Sequence, residues 1–366
     1  MTATGAMLGL AIGDAMGFPT EFNDIRGILA KCGPWREMDL PAPAFITDDT
    51  QMTLAVARAL HRSAAQIAQD ADTLDADNTQ GAENPRDARG TGRGDVLPRE
   101  TARLLREQFI AWFESPDNNR APGNTCLTAC RTLRADAGLP WQRASITGSK
   151  GCGANMRVAP VGLVPGLTGE QRAGLAQLQS GLTHGHPTGL AASDLTARAV
   201  RLLNEGTSPA ALPAALRHYA HQQRGVHHER WLGDLWAQAG DAGPGAYIAR
   251  GWDDCLAALD RLDAAVAAGD RETDPCLATG AGWIAEEALA TGLLCFLLFP
   301  DDPVTAVRRA ACTSGDSDSL ACLTGAFAGA RHGAGAWPAG WIERLEHRDE
   351  LLAFGALWDA AATTRP

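Results

Sequence analysis

Apolar residues recur at three- and four-residue spacing along almost the whole chain, for example from Leu54 to Ile67, Leu190 to Leu203 and Trp252 to Val266. That spacing lines one face of a helix. Strand-like alternation of β-branched residues is scarce. Clusters of Pro, Gly and Asp or Ser cut the pattern into helices of ordinary length, which predicts an all-α chain of roughly a dozen helices. No fixed repeat period runs through it. The longest apolar run, ALATGLLCFLLF over residues 288–299, is too short to span a bilayer comfortably and reads as a buried helix.

One segment breaks the pattern. Residues 70–98, DADTLDADNTQGAENPRDARGTGRGDVLP, are polar and nearly devoid of core residues. They are expected to form a flexible insertion between two helices. No linker divides the rest, so a single domain over residues 1–366 is expected.

Composition narrows the function. With 45% hydrophobic residues a sizeable core is available, and a formal net charge of −11 argues against a protein that grips nucleic acid along its length. The nine cysteines form no CxxC pair, which reads as free thiols in a reducing cytoplasm. The amino-terminal MTATGAMLGLAIGDAMG lacks a basic n-region and carries Asp14 within its apolar run, unlike a signal peptide. No membrane partner is expected.

Candidate chemistry begins with AFITDDTQMT, residues 44–53. Thr47 suits the N-cap of the helix that follows, and one aspartate there would complement a helix N-terminus. Two adjacent aspartates, Asp48 and Asp49, are one more than capping requires. A second acidic pair lies in TSGDSDSLACLTGAFAGA, residues 313–330, where Asp316 and Asp318 precede another small-residue helix beside Ser319. In the turn before a helix such a pair can converge on one point. Hard oxygen ligands of this kind suit Mg²⁺, Mn²⁺ or Ca²⁺ rather than zinc, and four gathered carboxylates call for about two divalent cations. Two unrelated capping motifs are the competing reading. GLAIGDAMGFPTEF, residues 9–22, adds Asp14, best read as a buried structural acid, and Glu21, free after a Pro-Thr break to face a cleft.

Two further stretches stand out. In GSKGCGANMRVAPVGL, residues 148–163, Gly148, Gly151 and Gly153 leave backbone N–H groups approachable and Arg157 adds positive charge. Such a loop can cradle a diphosphate, but on the residues alone a plain tight turn is the default reading. In LTHGHP, residues 182–187, His184 and His186 are two apart, which does not fit the HExxH spacing of zinc hydrolases. Packed, hydrogen-bonded histidines are the default, with stacking on a ligand ring the alternative.

Taken together, GLAIGDAMGFPTEF, TDDTQMT, PGNT at 122–125, GSKGCGANMRVAPVGL, THGHP, AGWIAEEAL at 281–289 and SGDSDSLACLTGAFAGA run in one order from residue 5 to about 332. In that order they resemble the ADP-ribosylglycohydrolase family. The resemblance implies a compact multi-helix fold with a central binuclear metal cleft holding two Mg²⁺ (or Mn²⁺). By position it implies metal ligands at Thr47, Asp48, Asp49, Asp316, Asp318 and Ser319. Glu21 would stand beside the metals and the scissile bond, and Asp48 and Asp316 would share the catalytic work. Gly151, Gly153, Ala154, Asn155 and Met156 would line the loop around the distal ribose and diphosphate, with His184 and His186 near the ligand. The chain departs from the family at Cys152, where some members carry Asn, and near Ser149-Lys150, where some carry an acid.

The implied activity is metal-dependent removal of ADP-ribose from a modified protein side chain, arginine before serine, with ADP-ribose as product. A cationic guanidinium leaving group would favour an acidic cleft. The alternatives are a two-metal phosphoester or pyrophosphate hydrolase and a non-catalytic ADP-ribose-binding protein. Immunity against an ADP-ribosylating toxin is a possible context for the same chemistry.

Overall fold

The computed structural model describes residues 1–78 and 93–363. Among the described residues there are eighteen α-helices and five 3₁₀ segments, with three isolated bridges in place of strands. The all-α expectation holds, but the helices outnumber the dozen read from the spacing. The Gly, Pro and Asp clusters cut out pieces as short as four residues, such as Glu229–Leu232, Leu235–Gln238 and Cys276–Thr279, which have too few turns to show a periodic face.

Two helices form the centre. Thr2–Gly17 is buried from Ala3 onward, as a helix that is apolar on all sides should be. Every fourth residue on one face is glycine, and that face lies against Ser317–His332. A Cβ added at Gly13 would fall 1.9 Å from the Ala321 carbonyl oxygen, and one at Gly325 would fall 1.9 Å from that of Gly9. The two backbones therefore touch, which only glycine permits. They run antiparallel, with Gly5 beside Gly329 and Gly17 beside Asp318. The end of the first helix, and the Glu21 turn after it, thus meet the start of the last motif.

The remaining helices wrap this pair. Arg348–Thr363 packs on the amino-terminal helix and caps it: Asp359 accepts hydrogen bonds from the backbone N–H groups of Ala3 and Thr4 at 3.0 and 3.1 Å. Ala285–Leu298, Pro187–Asn204 and Pro244–Ala268 complete one side. The apolar run expected to be a buried helix is the Ala285–Leu298 helix. No helix among the described residues is long and apolar enough to cross a membrane.

The segment 70–98 is helical at both ends. The TDDT helix extends from Asp48 to Asn78, and the next begins at Arg93. The first glycine of the segment is Gly81 and its first proline Pro85, so nothing in residues 70–78 stops a helix already under way. Residues 79–92, the centre of the expected insertion, lie outside the described residues.

Candidate active site

Asp14 organises the TDDT helix from a neighbouring element. Its carboxylate is fully buried and accepts hydrogen bonds from the backbone N–H groups of Thr47 and Thr50, each at 3.0 Å, and from their hydroxyls at 2.8 and 2.5 Å. It satisfies donors that a helix start would otherwise leave orphaned, which is the structural role expected of it. Thr47 takes the N-cap position, and its hydroxyl oxygen accepts from the Asp49 N–H at 3.3 Å. The helix begins at Asp48, so Asp48 and Asp49 open its first turn. Gly123 N–H donates to Asp48 Oδ2 at 3.2 Å, tying the PGNT segment to the motif.

The second acidic pair is held by the central helix contact. Asp316 is the N-cap of Ser317–His332, and Asp318 is in its first turn. Asp316 N–H donates to the Ala281 carbonyl at 2.8 Å. The Glu21 turn is pinned alongside, with Thr20 Oγ1 2.6 Å from the Ala311 carbonyl and 3.0 Å from Ser317 Oγ. Carboxylate oxygens of Glu21, Asp316 and Asp318 lie within 4.8 Å of one another.

These residues share the wall of one cavity of about 330 Å³. Glu21, Asp48, Asp49, Asp316, Asp318 and Ser319 line it, together with Gly151, Cys152, Gly153, Met156 and His184. Among the described residues no lysine or arginine lines it. Burial and mutual repulsion push the carboxyls up: Asp14 to about 7, Asp48 to about 8 and Glu21 to about 9, burial being the larger cause in each. Asp49, Asp316 and Asp318 are raised for the same leading reason. Glu21 Oε2 and Asp49 Oδ1 are buried with no hydrogen-bond partner among the described residues. Unpartnered oxygens crowded without a positive group are what a divalent cation would satisfy. The cluster can hold one.

The glycine loop forms another part of the wall and is tied to the AGWIAEEAL segment through its backbone. Cys152 N–H donates to the Trp283 carbonyl at 3.1 Å, and Ala285 N–H to the Lys150 carbonyl at 2.9 Å. Asn155 is turned inward, its side chain donating to the Ala285 carbonyl at 3.1 Å. Ala154 is buried behind the wall. His184 fills the space beside the loop, where a Cβ on Gly153 would lie 3.0 Å from its Cε1. Burial, then the nearby Arg157, lowers His184 to about 3, so its imidazole is neutral.

Not every expected residue reaches the cavity. Thr47 is fully buried behind it, bonded to Asp14. His186 caps the Pro187–Asn204 helix through Nδ1, 3.2 Å from Thr188 N, with Nε2 2.9 Å from Arg250. Arg157 lends its charge to the core rather than to the loop. It donates to Gln179 Oε1 at 2.9 Å and to Thr183 Oγ1 at 2.8 Å, and stacks over Phe109 at 4.3 Å. A guanidinium with its donors used in this way is a scaffold.

Sequence reasoning gave no role to Phe22 and Trp283. Their rings stack 5.5 Å apart at the cavity wall, 73% and 42% exposed. Phe22 also has a φ of 61°, uncommon for a non-glycine residue. Their only signal was adjacency to Glu21 and membership of AGWIAEEAL. Pro122 to Thr125 of the PGNT motif line the cavity too.

The chain matches the ADP-ribosylglycohydrolase family over residues 2–366. It belongs to that family, and is a hydrolase acting on ADP-ribose glycosidic bonds. It is similar to the ADP-ribosyl-(dinitrogen reductase) glycohydrolase of Rhodospirillum rubrum, 25% identical over 97% of this chain and 97% of that protein. An uncharacterised protein of Archaeoglobus fulgidus is 27% identical over 51% of this chain and 49% of its own length. Among solved structures, an ADP-ribosylglycohydrolase-related protein complex shares the fold with a TM-score of 0.60 at 23% identity, over 98% of this chain and 96% of that one.

Proposed function

We propose that the protein removes ADP-ribose from modified arginine side chains of a protein substrate, and that it works with two Mg²⁺ (or Mn²⁺) ions. The observation that carries this reading is the cavity wall: five carboxylates, two of them with an unpartnered buried oxygen, and no lysine or arginine among the described residues. Asp48, Asp49, Asp316 and Asp318 would hold the ions, with Ser319 beside them. Thr47 would join through its hydroxyl oxygen, which gives its proton to Asp14, accepts from the Asp49 N–H and keeps one lone pair. When bound, the ions neutralise the carboxylates and orient ribose hydroxyls beside the scissile bond.

The chain's own groups do the rest. Glu21 stands at the meeting point of the two acidic motifs, where it can exchange a proton with the attacking water or the departing nitrogen. Gly151, Gly153 and Met156 line the same cavity, where they would border the distal ribose and diphosphate. His184, held neutral, can accept or donate a hydrogen bond to the ligand without adding charge. Ala154 and Asn155 set the loop from behind, and His186 fixes the helix that follows. The acidic wall favours a cationic guanidinium as leaving group.

The test is release of free ADP-ribose from arginine-linked and serine-linked proteins assayed side by side. Faster release from arginine is expected. Faster release from serine would reverse the linkage assignment, and AMP or inorganic phosphate as product would point to attack on phosphorus.

A further inference from the structure

We infer that Lys150 is a positioning residue for this reaction: its ion pair with the buried Glu286 fixes the start of the cavity-lining stretch 151–153, and through it the affinity for the ADP-ribosyl group. The role rests on the proposed function, in which that stretch borders the distal ribose and diphosphate. Lys150 itself does not line the cavity, whereas Gly151, Cys152 and Gly153, which follow it, all do. Its ammonium is engaged by two carboxylates instead: it donates to Glu286 Oε1 and lies 3.6 Å from Asp254 Oδ2.

The pair stands at the end of the backbone ladder that builds this part of the wall. The Lys150 carbonyl accepts from Ala285 N–H, Gly151 pairs with Ile284 in an isolated bridge, and Cys152 N–H donates to the Trp283 carbonyl. Glu286 follows Ala285 directly, in the first turn of the Ala285–Leu298 helix. It is 4% exposed, and its Oε2 has no hydrogen-bond partner among the described residues. Lys150 is the cation that balances it. Asp254, on the Pro244–Ala268 helix, also accepts the Thr188 hydroxyl at 2.6 Å. A Cβ on Gly189, one residue further along, would lie 3.8 Å from Lys150 Cα. Lys150 therefore sits where the glycine loop meets three helices, and its ammonium joins two of them.

Charge burial sets the consequence. Without the ammonium, the Glu286 carboxylate is left buried and uncompensated, so it must take up a proton or turn toward water. Either way the side-chain anchor of the loop is lost, while the backbone ladder keeps the loop attached. The start of the stretch 151–153 can then shift against the helices. That stretch would border a part of the ligand remote from the bond that breaks. A shift there weakens substrate and transition state alike, and so appears in KM rather than in kcat.

The experiment measures ADP-ribose binding by calorimetry and steady-state release of ADP-ribose, on the full chain with Mg²⁺ present. It compares the native protein with Lys150→Met, Glu286→Leu and Lys150→Arg. Arg224→Met, which breaks an exposed ion pair with the neighbouring Asp253, is the control. Lys150→Met and Glu286→Leu should each weaken ADP-ribose binding and raise KM about ten-fold, with kcat within about two- to three-fold. Lys150→Arg should recover most of the loss, and Arg224→Met should match the native protein. Should Lys150→Met fold poorly, Lys150→Met/Glu286→Leu, which removes both charges, replaces it and should show the same weakened binding. A lysine that touched the diphosphate directly would be freed by Glu286→Leu. Affinity that holds or rises in Glu286→Leu while falling in Lys150→Met therefore overturns the inference. So does a lowered thermal midpoint with unchanged KM and ADP-ribose affinity, which would make the pair a fold element only. Failure of the native chain to bind ADP-ribose overturns the proposed function as well.

Discussion

Gly17 rests directly on Asp318: a Cβ at Gly17 would fall 2.4 Å from the Asp318 Cα. This contact joins the end of the first helix to the start of the last acidic motif, and so sets Glu21 beside Asp316 and Asp318. Gly17→Ala would force the two backbones apart. A loss of about 1–3 kcal/mol in unfolding free energy is expected, as for other overpacked cores. A fall in cation affinity should accompany it, because the three carboxylates are separated. Denaturant unfolding and calorimetry measure the two effects. A variant as stable as the parent, with unchanged cation affinity, would contradict the role given to this contact.

Asp14 should prove structural. Asp14→Ala leaves the buried N–H and O–H groups of Thr47 and Thr50 without their acceptor, an expected cost of about 1–3 kcal/mol per unsatisfied group. Asp14→Asn keeps one acceptor and should recover part of that stability. If Asp14 were instead a direct cation ligand, both variants would lose cation binding equally while stability stayed put. Thermal unfolding and cation titration of the pair separate the two roles.

The acidic cluster predicts how stability responds to pH. In the metal-free fold Asp14, Asp48 and Glu21 are raised to about 7, 8 and 9, against about 4 in an unfolded chain. Between those limits the folded protein binds more protons than the unfolded one. This contribution is therefore fully present below the unfolded values and is lost as pH rises through the folded ones. His184, lowered from 6.5 to about 3, acts in the opposite sense below 6.5. Above about pH 6.5 the carboxyls decide, and the thermal midpoint of chelated protein should fall toward pH 9. Saturating Mg²⁺ should flatten that fall, since the cation replaces the protons. A midpoint that rises with pH over this range in chelated protein would contradict the shifts.

Much of this was legible in the sequence, for identifiable reasons. Three- and four-residue spacing gave the helices, and the paired acids at two helix starts drew attention to residues that the fold brings into one cavity. The apolar, glycine-spaced run around Asp14 foretold a close helix approach, but not its partner. Contact between Gly9 and Gly325 is a matter of tertiary register that local spacing does not carry. The place of Arg157 is hidden for a related reason. A charge beside a glycine loop reads as a ligand-binding group until Gln179, Thr183 and Phe109 are seen to occupy it. His184 and His186 were indistinguishable by spacing, although only the first faces the cavity. Phe22 and Trp283 come from segments far apart in the chain, and only the fold stacks them.

The central claim is that a carboxylate-bound divalent cation drives cleavage of the ADP-ribosyl bond, and chelation tests it most directly. Free ADP-ribose released from an ADP-ribosyl-arginine protein should be measured before EDTA treatment, after it, and after Mg²⁺ is restored, alongside Asp48→Ala and Asp316→Ala. The account predicts loss of release on chelation, recovery with Mg²⁺, and no recovery in either folded variant. Undiminished release by the chelated enzyme would contradict it.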